Sequence, residues 1–255
     1  MTAVPFVPVR DALVLAAGNG DRFHDGTRQS KLLQPILGEP IILRTLAGVR
    51  AAGITDAEVV LGYQAVRLRS LIEAHAPSGL RLHFCYNPDW HLENGVSVLT
   101  ARRRLATRRF ALLMGDHLFE APVLTRLLAE PVRPQESLLA VDSRSVAADG
   151  AAEATKVRLS GDRIVAIGKD LQRYDALDTG MSRPSAISTQ ASQVPHGSEV
   201  GPCSQFRPRA RIRAVVVLPT PRGPANTNDC AIRFAPIAFR SVWVTARWPM
   251  TSSKR

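Results

Sequence analysis

Two stretches of the sequence carry residue types that could handle phosphate. The first is Gly18-Asn19-Gly20, which ends the apolar run Asp11–Ala17 (DALVLAA). Glycines directly after the first strand of an α/β sheet let the main chain approach a phosphate chain with its amides turned to the anion. The carboxyl ends of parallel strands are also where such sheets take ligands. The stretch is not a dinucleotide fingerprint, because Phe23 stands where the third glycine belongs, and it lacks the Gly-Lys-[Ser/Thr] of a Walker loop. Taken alone, Gly-x-Gly fits a tight turn at least as well. The second stretch is Met114-Gly115-Asp116-His117, which closes the apolar run Phe110–Met114. A carboxylate at such a strand end can hold Mg²⁺ through oxygen, or it can serve as a turn or helix N-cap aspartate. His117 carries no assignment at this level. Between them, Asn94-Gly95 and Ser97 read equally well as an Asn-Gly turn capping a helix.

The elements that must position these residues follow from apolar periodicity. Strands are expected at Asp11–Ala17, Ala57–Leu61, Leu80–Tyr86, Phe110–Met114 and Ser137–Val141. Helices are expected over Pro40–Ala52, Gln64–Ala74, from about Gly95 to Arg104, and over Pro122–Ala129. In the first helix Ile42, Leu46 and Val49 share a face, Pro40 suits the start and Gly53 the C-terminal cap. Thr155–Leu159 and Arg163–Ile167 alternate around Ser160-Gly161-Asp162 and predict a hairpin. Alternating strands and helices predict an α/β fold. It is a Rossmann-like, mostly parallel twisted sheet with helices on both faces and a small antiparallel addition.

The charge is unevenly placed. The 255 residues carry a net charge of +11, but residues 182–255 hold eleven Lys/Arg against two acids and nine of the eighteen prolines. Residues 1–181 are therefore close to neutral. That distribution, without interleaved aromatics or a reading motif, argues against nucleic acid as the partner. The expected organisation is a catalytic-type domain over 1–181 and a basic, Pro/Arg-rich tail over 182–255, irregular or disordered. An alternative source of such a tail is a change of reading frame in GC-rich coding sequence. Its first strand-like run, Ala214–Leu218 (AVVVL), could add to a sheet edge. Cys85, Cys203 and Cys230 lack metal or disulfide spacing. No apolar run reaches the eighteen or so residues of a membrane helix, and the first ten residues lack a signal-peptide pattern, so a cytoplasmic protein is the expectation.

Leu15-Ala16-Ala17-Gly18-x-Gly20-x-Arg22, with Lys31 and then Gly38-x-Pro40, resembles the signature loop of the sugar-1-phosphate nucleotidyltransferases. The resemblance implies that Ala17, Gly18 and Gly20 cradle a triphosphate while Arg22 and Lys31 neutralise it. The Gly-Asp at 115–116 falls where that family has a metal-binding aspartate. Glu153-Ala154-Thr155-Lys156-Val157, Ile167-Gly168-Lys169-Asp170-Leu171 and Asp178-Thr179-Gly180 narrow the resemblance to CTP:inositol-1-phosphate cytidylyltransferases. It implies Asp116 and Asp178 as ligands of Mg²⁺, and Lys156 and Lys169 as acceptor-phosphate contacts. The segment from Asn87 to Val98 resembles the family's middle motif, making Asn94 and Ser97 nucleotide contacts, and Gly62-Tyr63 falls where the base would be read.

The reaction so implied is transfer of a nucleoside monophosphate, with CTP as the preferred donor, to inositol 1-phosphate with loss of pyrophosphate. Phosphocholine, a sugar 1-phosphate or a molybdopterin-type acceptor are alternatives within the class. The family continues past the Asp-x-Gly where this sequence turns into tail, so the acceptor side is expected to be truncated. A non-catalytic nucleotide-binding remnant and a tail-driven nucleic-acid binder are the rivals from other classes.

Overall fold

The computed structural model describes residues 8–20, 29–105, 109–132, 136–143, 154–184 and 211–218. Its first half is a repeated strand–helix arrangement. Strand β1 (Asp11–Ala16) is followed by a single 3-10 turn (Lys31–Leu33), a two-residue hairpin of β2 (Pro35–Ile36) and β3 (Glu39–Pro40), and helix α1 (Ile41–Ala51). Then come β4 (Asp56–Leu61), α2 (Ala65–His75) and β5 (Arg81–Tyr86). Helices α3 (Asn94–Thr100) and α4 (Arg102–Leu105) precede β6 (Phe110–Met114), α5 (Ala121–Ala129) and β7 (Glu136–Asp142). Four more strands follow: β8 (Lys156–Ser160), β9 (Arg163–Gly168), β10 (Ala176–Arg183) and β11 (Arg211–Leu218).

Among the described residues, nine strands form one sheet in the order β5-β4-β1-β6-β10-β7-β11-β9-β8. β5, β4, β1 and β6 are parallel, with Val14 opposite both Val59 and Leu113. Alternation along these strands divides the core between two faces. Val14, Ala16 and Val59 pack with Ile42, Leu46, Leu68, Ile72 and Leu124 on one face. Leu13, Leu15, Val60 and Leu112 pack with Val98, Ala101 and Leu105 on the other. Helices thus cover both faces, as expected.

Three features depart from the sequence reading. The helix expected from about Gly95 to Arg104 is broken at Ala101, whose amide turns back to Val98. The buried Glu58 accepts an ion pair from Arg104 at 2.8 Å, which draws α4 onto the sheet. Second, β10 is a strand that no apolar alternation announces. It runs antiparallel between β6 and β7, with Met181 opposite Leu113 and Ser182 opposite both Leu112 and Leu139. The division expected after Met181 therefore falls inside β10, which continues through Arg183. The buried Arg183 guanidinium caps α5 by donating to the carbonyls of Leu128 and Glu130 at 3.0 and 2.7 Å. Third, β11 lies within the sheet rather than at its edge, parallel to β7 and touching β9. The hairpin expected after Thr155 is present as β8 and β9.

At the edge opposite the strand carboxyl ends, Arg81 grips Asp56 with two bonds of 2.8 and 2.7 Å, tying β5 to β4. This guanidinium lowers the Asp56 carboxyl from 3.8 to about 2, against the upward pull of burial. The folded value lies below the unfolded one, so the contact stabilises fully above about pH 4 and is lost as pH falls through about 2. Thermal melts should therefore show a steeper loss of stability between these two pH values in the natural protein than in Arg81→Ala. Equal slopes would mean that the pair contributes nothing to folding.

Candidate active site

The carboxyl ends of β1, β4 and β6 form one rim, and the predicted residues gather there. Ala17 is buried at the end of β1, where its carbonyl accepts the Tyr63 amide at 2.8 Å. Gly18 is exposed. Gly20 has φ of +72°, a left-handed conformation that glycine adopts without penalty, and a Cβ there would stand 3.1 Å from Lys31 Cβ. Arg22 lies outside the described residues. The chain returns at Ser30, whose amide donates to Gln64 Oε1 at 3.2 Å and whose hydroxyl caps the 3-10 turn through Leu32 N at 3.4 Å. That turn carries Lys31 to the end of β6. Lys31 Nζ donates to Asp116 Oδ2 at 2.9 Å.

The Asp116 turn is fixed from below. Gly115 N donates to Leu15 O at 2.8 Å, holding the turn against β1. The buried hydroxyl of Thr45 in α1 lies 3.0 and 3.1 Å from the carbonyls of Gly115 and His117. Burial pushes the Asp116 carboxyl up, but the charges of His117 and Lys31 and the Lys31 hydrogen bond outweigh it, so the group sits below its usual range. It is a carboxylate at neutral pH.

Asn94 opens α3 half-buried, with Nδ2 4.0 Å from Met114 Sδ, so it faces the same strand end. Ser97 is buried, and its hydroxyl accepts from Asn87 Nδ2 at 2.9 Å. Asn87 Oδ1 in turn accepts the Asp89 amide at 3.0 Å, so this pair fixes the turn leading into α3. Tyr63 and Trp90 stand beside the loop with ring centroids 5.2 Å apart.

The second group arrives on β8, β9 and β10. Because β10 is antiparallel to β6, its first residues lie at the Asp116 end. Asp178 N donates to Thr155 O at 2.9 Å, and Asp178 Oδ1 accepts Gly180 N at 2.7 Å. Lys156 is paired with Leu177 on β10 and with Gly168 on β9, and its ammonium lies 5.5 Å from the Tyr174 ring centroid. Lys169 directly follows Gly168. His117 joins the two groups through a 3.0 Å contact between Nδ1 and Thr179 O. Thr45, Gln64, Asn87 and His117 are site residues that sequence reasoning did not assign. Only the Gly-Asp-His context of His117 could have drawn attention to it.

Gly18, Gly20, Lys31, Asp116 and Asp178 are thus brought to one end of the sheet. The chain belongs to the family of MobA-like NTP transferase domains, which matches residues 12–178. Among its relatives is the bifunctional IPC transferase and DIPP synthase of Rubrobacter xylanophilus, 39% identical over 178 residues, which are 68% of this chain and 39% of that protein. Another is the CMP-5'-(3-aminopropyl)phosphonate synthase of Streptomyces rubellomurinus, 36% identical over 126 residues, 49% of this chain and 20% of the other. In fold the chain is similar to the inositol-1-phosphate CTP transferase from T. maritima. That structure gives a TM-score of 0.67 at 22% identity, covering 83% of this chain and 86% of that one. The chain's match spans about two fifths of the length of the first of these relatives. No described helix is long and apolar enough to cross a membrane.

Lys31→Ala should weaken nucleoside triphosphate binding and flatten its salt dependence, while changing stability by no more than about 0.5 kcal/mol, as for a surface side chain. Calorimetric titration at two ionic strengths, with a melt of the free protein, checks both. A large drop in melting temperature without ligand would make Lys31 structural.

Proposed function

We propose that this chain transfers a cytidylyl group from CTP to the phosphate of inositol 1-phosphate. An acceptor phosphate oxygen attacks the α-phosphorus, the bond from that phosphorus to the oxygen bridging to the β-phosphate breaks, and pyrophosphate leaves. The nucleophile is already an anion, so the site needs no general base. It needs positioning and charge neutralisation. The Lys31–Asp116 junction between the glycine loop and the β6 end is the observation that carries this reading.

In this account Ala17, Gly18 and Gly20 offer main-chain contacts to the triphosphate, and Lys31 and Arg22 meet its charge. Asn94 faces the nucleotide, and Ser97 supports it through Asn87. Lys156, which pairs with the residue preceding Asp178, and Lys169 take the acceptor phosphate. The preference for CTP and inositol 1-phosphate draws on the names of the relatives and on this lysine pair. The 36% identity to a synthase of a CMP-phosphonate favours a phosphonate acceptor as the second reading.

The family generally uses a divalent metal. Asp116 and Asp178 fit Mg²⁺: both are oxygen donors, Asp116 is held ionised, and the antiparallel pairing of β6 and β10 brings them to the same end of the sheet. Among the described residues no cluster of three or more His, Cys, Asp or Glu side chains is poised for a metal. Two carboxylates with substrate oxygens and water are a usual set for Mg²⁺. When bound, it would offset negative charge on the phosphates.

Pyrophosphate release should require CTP, inositol 1-phosphate and Mg²⁺ together. Asp116→Asn should abolish it while the melting curve stays cooperative, because charge is lost and volume is not. Turnover of that variant at the natural rate would make Asp116 a turn residue. Release with a phosphonate but not with inositol 1-phosphate would move the acceptor to the second reading.

A further inference from the structure

We propose that His117 is a positioning residue that locks the Asp116 turn to the Asp178 strand and thereby sets the spacing of the two carboxylates. The inference rests on the two-carboxylate reading above. The Thr179 carbonyl can only accept, so His117 Nδ1 carries the proton of the 3.0 Å bond between them. Nε2 then lies on the other side of the ring, 3.8 Å from Asp116 Oδ1. One imidazole therefore touches both carboxylate-bearing segments.

Gly180 shows that the ring's place is built in. Its φ is +72°, and a Cβ on it would coincide with the imidazole, with the nearest ring atoms being Nδ1 and Cε1. The same residue's amide donates to Asp178 Oδ1 at 2.7 Å, so the strand turn that makes room for the ring also orients the second carboxylate. From α1, the Thr45 hydroxyl lies 3.1 Å from the His117 carbonyl and holds the main chain under it. The imidazole is thus seated at its main chain and at Nδ1, and its ring fills a gap that only glycine leaves open. β6 and β10 are paired in register only at Met181–Leu113 and Ser182–Leu112. Beyond that ladder toward the site, the His117 ring bonds across the seam.

The test is binding of Mn²⁺–CTP, read by the enhancement of water-proton relaxation, which responds to metal on the protein whether or not turnover follows. The natural protein should give a saturable enhancement that Asp116→Asn removes. His117→Ala should raise the dissociation constant at least tenfold, the order seen when a group orienting a metal ligand is lost. His117→Asn keeps a donor nitrogen near the Nδ1 position and should recover most of that affinity. Gly180→Ala should weaken binding more in the natural background than in His117→Ala, where the ring it strikes is gone and only the strain of a side chain at φ +72° remains. Melts of each variant report the folded fraction, and the constants are compared at temperatures where all are folded. Natural affinity in folded His117→Ala, failure of asparagine to restore any of a loss, or fully additive effects at 117 and 180 would each overturn the role of His117. No enhancement in the natural protein would overturn the two-carboxylate reading and this inference with it.

Discussion

Asp116 ends a strand that runs toward the site, and Asp178 lies near the start of one that runs away from it. They come to the same end of the sheet because β10 enters antiparallel between β6 and β7, with Met181 opposite Leu113. Reverse that strand, or slip it, and the second carboxylate moves to the far edge or the other face. The hairpin of β8 and β9 depends on the same strand, since Lys156 reaches the site through its pairing with Leu177. The parallel half supplies the glycine loop, Lys31 and Asp116. In the proposed reading, β10 is what adds an acceptor side.

Lys31 and Asp116 are about one-third exposed, at 37% and 29%, and an ion pair at such exposure contributes on the order of 1 kcal/mol or less. That is too little to be the reason the loop folds. Its described ends are held instead by the Tyr63 amide on the Ala17 carbonyl and by Gln64, which accepts the Ser30 amide while adopting a left-handed conformation at φ +53°. The weakness of the pair suits the proposed chemistry. Lys31 can turn to a phosphate, and Asp116 to a cation, at small cost. The contrast is with Glu58 and Cys85 on the opposite face of the sheet. There Glu58 pairs with Arg104, while burial first, and then Glu58, pushes the Cys85 thiol up to about 12. Those groups are committed to packing.

Much of the parallel half was legible because its strands are short and rich in apolar residues, and α1 shows its buried face at regular spacing. β10 was not. Its sequence, ALDTGMSR, has a glycine and an aspartate where a central strand usually has branched apolar residues. It is stabilised by bonds that no local pattern reveals: Thr179 Oγ1 donates to Ala140 O at 2.9 Å, and Arg183 caps a helix far away in sequence. The same limit applied to the site. Gly18, Gly20 and Asp116 could be suspected from their positions after strands. Asp178, Lys156 and Lys169 came only through resemblance, because which end of the sheet Asp178 and Lys156 reach depends on the direction of β10. Thr45 and Asn87 are polar residues buried for contacts with groups distant in sequence, and in sequence they look like any solvated position.

The central claim is that two strands of opposite direction build one cation site beside the glycine loop. Anomalous diffraction from a crystal soaked with Mn²⁺ and CTP tests it most directly. The account predicts one anomalous peak within about 2.2 Å of a carboxylate oxygen of both Asp116 and Asp178, near the octahedral bonding distance of such cations. A peak on Asp116 alone, with Asp178 still bound to the Gly180 amide and out of reach, would contradict it.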